Sequence, residues 1–173
     1  MDLKTLQLKL LDILKEKHIP SDEDEKYIKD VLSSKNLTVL KDIIYFWRSD
    51  ELARYCNFTS AYLKKINAFD DKVKEYYRVH NTSGYIEVLG KEFLNYLKSD
   101  IDKLTVFVAG FELSMIEVNS GSENDFFIET CYEPSDVFNF VYSDSEYPSE
   151  KKEKFIVRVS SELENNFTVI NTN

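Results

Sequence analysis

The chain is 173 residues long, 43% hydrophobic and 31% charged, with a formal net charge of −9 at pH 7. This is the composition of a soluble globular domain with its own core, and it excludes a disordered chain or one held together only by disulfides or metals. No apolar stretch approaches the roughly 18 residues of a membrane span, and the excess of acids argues against direct nucleic-acid binding, which relies on Lys and Arg against phosphate.

Cys56 and Cys131 stand alone, without motif spacing. They are expected to be free thiols in a reducing compartment. The first residues, Met1-Asp2-Leu3-Lys4, lead into leucines interrupted by Lys9, Asp12 and Lys15, unlike the unbroken apolar core of a signal peptide. A cytoplasmic location is expected.

Leu3, Leu6, Leu10 and Leu14, with Leu11 and Ile13 beside them, predict an amphipathic helix from Asp2 to Lys17, ended by Pro20. The run Ser21-Asp22-Glu23-Asp24-Glu25 reads as a helix start, with Ser21 as cap and acids in the first turn, rather than as a metal cluster. Tyr27, Ile28, Val31 and Leu32 would then be the buried face. Leu37, Leu40, Ile44 and Trp47, widened by Ile43 and Phe46, form the next apolar stripe. Ser49-Asp50-Glu51 resembles a fresh N-cap, so a shorter helix is expected from there to Cys56.

Thr59 or Ser60 opens a helix in which Tyr62, Leu63, Ile66, Phe69, Val73 and Tyr77 keep the 3.6-residue period as far as the loop at His80–Gly84. Ile86, Leu89, Phe93, Tyr96 and Leu97 mark one more, up to Lys98. Five or six helices are thus expected in the first 100 residues.

Leu104 to Met115 is rich in β-branched and aromatic residues. Leu104, Val108, Phe111, Met115 and Val118 also fit a helix, but Thr105, Val106, Val108 and Gly110 are poor helix formers and favour a strand. The Asn119–Asn124 turn and a strand at Phe126–Tyr132 would complete a hairpin. Glu133-Pro134-Ser135-Asp136 breaks the pattern, and Val137–Tyr142, with Phe138, Phe140 and Tyr142 alternating, is read as strand. Ser143 to Lys154 is read as a charged loop around Pro148, Phe155, Val157 and Val159 form a last clear strand, and the tail to Asn173 either adds a strand at Phe167–Ile170 or frays. The expected fold is α+β: one domain whose helical half, residues 1–100, packs on a small, mostly antiparallel sheet in an acidic, β-rich half, residues 101–173.

Catalytic constellations are thin. His18 and His80 have no partner at metal-ligand spacing, so neither zinc nor any other metal is expected. No phosphate-cradling glycine loop or nucleophile motif occurs, and no cofactor is expected. A Cys56–His80 pair rests on residue type alone. Glu112 and Glu129 could face each other as glycosidase carboxylates do, but two solvent-facing strand residues are the simpler reading.

The distinctive feature is charge placement. Between Lys103 and Lys151 lie ten acids and no Lys or Arg, whereas residues 1–103 hold 18 of each sign. Self-repulsion in such a stretch works against folding, which points to use. The function expected is a non-enzymatic acidic protein that docks on a basic protein partner, most concretely an immunity protein blocking a nuclease-type toxin domain. Its partner-binding residues would be Glu112, Glu117, Glu123, Asp125, Phe126, Glu129, Tyr132, Glu133, Asp136, Tyr142, Asp144, Glu146 and Tyr147, acids interleaved with aromatic anchors. The alternative is a small-molecule-binding domain or enzyme with a cleft between helices and sheet, using Arg54, Cys56, Tyr76, Tyr77, Arg78 and His80.

Overall fold

The computed structural model describes residues 2–171. Among them are eight helices and three strands: α1 (Leu3–Leu14), α2 (Lys26–Leu32), α3 (Asn36–Tyr55), α4 (Asn57–Lys65), α5 (Phe69–Val79), α6 (Ile86–Leu97), α7 (Lys103–Asn119), β1 (Phe126–Tyr132), α8 (Pro134–Tyr142), β2 (Glu150–Val159) and β3 (Phe167–Asn171). The α+β class is as expected, with six helices before residue 100. The chain forms two compact units. Unit 1 takes the chain up to Glu51 together with Asp70–Thr82, and unit 2 takes Leu52–Phe69 together with the chain from Ser83 onward.

In unit 1, Ile13, Ile28, Val73 and Tyr76 are the buried apolar residues among those described. The acidic run does not open α2. That helix starts at Lys26, and Asp24 instead folds back. Its carboxylate accepts hydrogen bonds from Ser21 N (3.0 Å), His18 Nε2 (2.9 Å) and Lys9 Nζ (3.2 Å). The Ser21 amide first, and then His18, hold the Asp24 carboxyl down at about 2. A donor cage for one carboxylate took precedence over the dipole arrangement expected for the whole run.

Nor does a new helix begin at Ser49. α3 runs unbroken through Ser49-Asp50-Glu51, where the Ser49 hydroxyl donates to Phe46 O at 2.9 Å and Arg48 pairs with Glu51 at 3.0 Å. A serine whose hydroxyl is satisfied by its own helix need not cap another. The helix expected from residue 59 to 80 is in fact two. α4 stops at Lys65, and Asn67 adopts a left-handed φ of 56°, the conformation in which Asn commonly ends helices.

Unit 2 holds a three-stranded antiparallel sheet in the order β1-β2-β3, with Phe126 opposite Val159, Ile128 opposite Val157 and Val157 opposite Val169. β1 falls where a strand was expected, β2 contains the expected strand at Phe155–Val159 but begins earlier, at Glu150, in the segment read as a charged loop, and β3 takes the strand alternative for the tail. The segment expected to be the first strand of a hairpin is not one: Lys103–Asn119 is α7, which packs on β1 and β2 and against α4 and α6. Asp102 starts it, accepting from Leu104 N (3.3 Å) and Thr105 N (3.0 Å). Eleven of its 17 residues are buried, so apolar side chains face every direction and no amphipathic period marks the helix. Burial of the whole cylinder overrides the weak propensities of Thr105, Val106 and Val108.

Val137–Tyr142 is likewise helical. Pro134 is the first residue of α8 rather than a break, and Asp136 lies in its first turn. Val137, Phe140 and Val141 are its buried stripe, at i, i+3 and i+4.

Candidate functional site

Folding supplies the acidic run with cations from outside it. Glu117 pairs with Lys91 (2.9 Å), Asp125 with Arg158 (2.7 Å), Glu129 with Lys154 (3.2 Å), Asp136 with Lys151 (3.4 Å), Asp144 with Lys65 (4.0 Å) and Glu150 with Lys103 (3.2 Å). Glu123 and Glu146 are exposed, and Glu133 is half-buried beside the Ser135 hydroxyl. Of the expected aromatic anchors, Tyr142 and Tyr147 are exposed and Phe126 is half-buried. Tyr132 is buried, with its hydroxyl on Glu150 at 3.3 Å, so it is part of the core. The excess seen along the chain is therefore largely paired in space. Unit 2 still carries 17 acidic residues against 10 basic, and unit 1 carries 14 against 12.

Glu112 is the exceptional acid. Expected on a surface strand, it is buried on α7, where its two oxygens accept from Phe58 N and Thr59 N, each at 2.8 Å. Those amides belong to the first turn of α4, whose N-cap residue, Cys56, offers no side-chain hydrogen bond. A carboxylate from 53–54 residues downstream thus serves as the missing cap and meets the positive end of the helix dipole. Burial pushes the Glu112 carboxyl above the usual range, and the bonds from Thr59 and Phe58 pull it partly back.

Beside this carboxylate lies a groove of about 400 Å³, lined by Phe58, Phe111, Glu112, Met115, Ile116, Asn119, Phe138, Tyr142 and Phe167. α7 supplies one wall with Phe111, Met115 and Ile116. α8 supplies Phe138 and Tyr142 at i and i+4, which places both on one helix face. The rings form a continuous cluster: Phe58 lies 5.7 Å from Phe111, 5.6 Å from Phe138 and 5.7 Å from Tyr142, centroid to centroid. Phe167 from β3 closes it at 5.3 Å from Phe111 and 5.5 Å from Phe138. Among the described residues, Glu112 is the one charged member of the lining. Of the residues singled out in the sequence, Glu112 and Tyr142 meet here. The other wall residues were missed as site residues, because only the crossing of α4, α7, α8 and β3 brings them together. One signal did exist: Glu112 is the lone charge within the apolar run 104–116, and such an acid needs buried donors or a site.

Tyr77 and Arg78, proposed for an alternative cleft, line one of about 590 Å³ in unit 1, with Lys15, Lys41 and Lys74 among the cations and Glu16, Asp42, Asp71 and Glu75 as the acids. Much of that lining is already engaged. Lys41 pairs with Glu16 at 3.2 Å, Lys74 lies 5.1 Å from the Tyr45 ring centroid, and Lys15 donates to His80 O and to Asn81 Oδ1 (3.0 Å). Tyr76 is buried, stacked on His80 at 4.8 Å. Arg54 and Cys56 belong to unit 2. The Cys56 thiol is buried, with Sγ 3.6 Å from Gly90 O, and desolvation pushes its pKa far up, the reverse of an activated nucleophile. Among the described residues no three metal-ligating side chains cluster, and no helix is long and apolar enough to cross a membrane.

Comparison of the chain with protein-family models, curated proteins and solved structures finds no match.

Proposed function

We propose that the protein is a non-catalytic binding protein whose unit 2 receives a basic protein partner in the aromatic groove. The partner would insert a Lys or Arg flanked by apolar side chains. One observation carries this reading: among the described residues, the lining of an aromatic-walled groove has a single carboxylate and no cation. Aromatic faces attract cations, and a desolvated acid strengthens that attraction. The groove volume lies within the range of sites that bury a ligand, and an anchor seated in a desolvated pocket supplies most of an interface's affinity.

The charge of unit 2 acts at longer range. An excess of 17 acids over 10 bases steers a cationic partner towards it even though many acids are locally paired. A nuclease-type toxin domain has the required surface, since residues that bind phosphate also bind carboxylate; that is the immunity-protein form of the reading.

The test is an amide-resolved NMR titration with a 12-residue Leu/Lys amphipathic peptide and its Leu/Glu counterpart. The Leu/Lys peptide is expected to shift Met115, Ile116, Phe138 and Tyr142, less so at high salt, while the Leu/Glu peptide leaves them unmoved. Equal shifts from both peptides, or none from the basic one, would overturn the reading.

A further inference from the structure

Unit 1 carries a second surface, independent of the groove. Apolar residues occupy one side of α3, opposite Thr38, Lys41, Asp42, Tyr45 and Ser49: Leu37 and Ile44 are half-buried, while Val39, Leu40, Ile43, Phe46 and Trp47 remain between 47% and 62% exposed. The spacing 39/40, 43, 46/47 aligns these five in one stripe along the helix, and Phe46 and Trp47 meet edge to face at 6.0 Å. An exposed apolar stripe of this length on one side of a helix marks an interaction surface.

We propose that the stripe pairs with a second copy of the chain, α3 lying antiparallel to its counterpart about a two-fold axis at Ile43. The sequence of the stripe is self-complementary under that reversal. Ile43 meets itself, and the small aliphatic pair Val39–Leu40 faces the large aromatic pair Phe46–Trp47 of the other copy, large against small at both ends. Charge selects the direction. Lys35 lies just before the helix and Asp50 near its far end. Antiparallel pairing sets Lys35 of each copy near Asp50 of the other, whereas parallel pairing sets like beside like.

The area agrees with a modest dimer. At the 150–250 Å² of a full aromatic side chain, Phe46 and Trp47 expose roughly 250 Å² together, and the three aliphatic residues bring the stripe to roughly 500 Å². Two copies then bury roughly 1,000 Å², the lower edge of specific interfaces.

Trp47 is the sole tryptophan, so its fluorescence reports on the stripe alone. The experiment is sedimentation of the full chain across the micromolar range, with Trp47 emission recorded at each concentration, for the natural chain, Ile43→Asp and Ile43→Cys. The natural chain should move from 20.3 kDa towards twice that mass as Trp47 emission shifts blue. Ile43→Asp, half-exposed and therefore tolerated by the fold, should weaken association at least about tenfold with unchanged circular dichroism. Oxidised Ile43→Cys should cross-link to itself, because only a residue on the axis meets its own copy. A mass of 20.3 kDa at every concentration would overturn the proposal. A dimer that persists in Ile43→Asp, or that leaves Trp47 emission unchanged, would place the contact elsewhere and overturn it equally.

Discussion

The two units solve the problem of burial differently. Among the described residues, unit 2 buries 24 apolar side chains and unit 1 buries four, although unit 1 has more than half as many residues. Among the described residues, unit 1 leaves 11 large hydrophobic residues exposed, including the α3 stripe. A unit of about 60 residues buries too little surface to be more than marginally stable by itself. Unit 2 organises its core around α7 and can accommodate a buried carboxylate and an open groove. The difference divides the roles: a rigid unit shapes a pocket, and a thinly packed unit displays apolar surface.

Hydrogen exchange should find the α7 and β2 amides opening only with global unfolding, whereas those of α1, α2 and the first half of α3 should exchange about a hundredfold faster or more. Equal protection in both units would refute the contrast.

Next in size is Glu112. Glu112→Ala strands two buried N–H groups, at about 1–3 kcal/mol each, and should lower the denaturation midpoint by the equivalent of about 3 kcal/mol. Glu112→Gln keeps one acceptor but turns an amide N–H₂ towards a backbone donor, so about half of that loss is expected. The pH dependence has a definite sign. Because burial raises the folded-state pKa, the group's favourable linkage is complete below the unfolded carboxylate range and is lost as pH rises through the raised value. The advantage of the natural chain over Glu112→Gln should therefore shrink with rising pH, as denaturation at a series of pH values would show.

Two glycines give a smaller, paired effect. A Cβ on Gly90 would run into the Tyr55 ring, whereas one on Gly110 would meet Ile128 Cγ2 at 3.7 Å, an ordinary contact. Gly90→Ala should cost about 2 kcal/mol through overpacking, and Gly110→Ala should add about 0.5–1 kcal/mol through helix propensity. Thermal melts of the two variants should move in opposite directions.

The subtlest prediction concerns unit 1. The Asp24 carboxyl lies at about 2, below its ordinary value, so its bonds to Ser21, His18 and Lys9 are intact above about pH 4 and are lost as pH falls through 2. NMR shifts of the Ser21 amide should follow that transition and be flat in Asp24→Asn.

Much of the architecture was legible in the residues. Leu3 to Leu14 and Ile86 to Leu97 showed their helical period because each has one wet face, and Phe155, Val157 and Val159 alternated because β2 has one buried side. The misreadings share a cause. α7 has no wet face, so the helical spacing of Leu104, Val108, Phe111, Met115 and Val118 had no polar side to set it off and was outweighed by weak helix propensities; the 17-residue length, too long for an ordinary strand, supports the helix. α8 was obscured because Pro134 starts helices as readily as it breaks strands. Charge along the chain also misled: Lys65, Lys91 and Arg158 are distant in sequence from the acids they neutralise. Glu112 and Tyr142 were singled out for their charge and ring. Their association with Phe58, Phe138 and Phe167 depends on helix crossings that no local pattern encodes.

Met115→Lys tests the groove directly. Met115 is half-buried in the groove wall, outside the Glu112 cap, so a lysine there places a fixed cation where the incoming one should sit. Calorimetric titration of the Leu/Lys peptide into the natural chain and into Met115→Lys should show affinity falling at least about tenfold in the variant, with melting temperature unchanged. Equal affinity for both proteins would mean that the cation goes elsewhere, contradicting the assignment of this groove as the binding site.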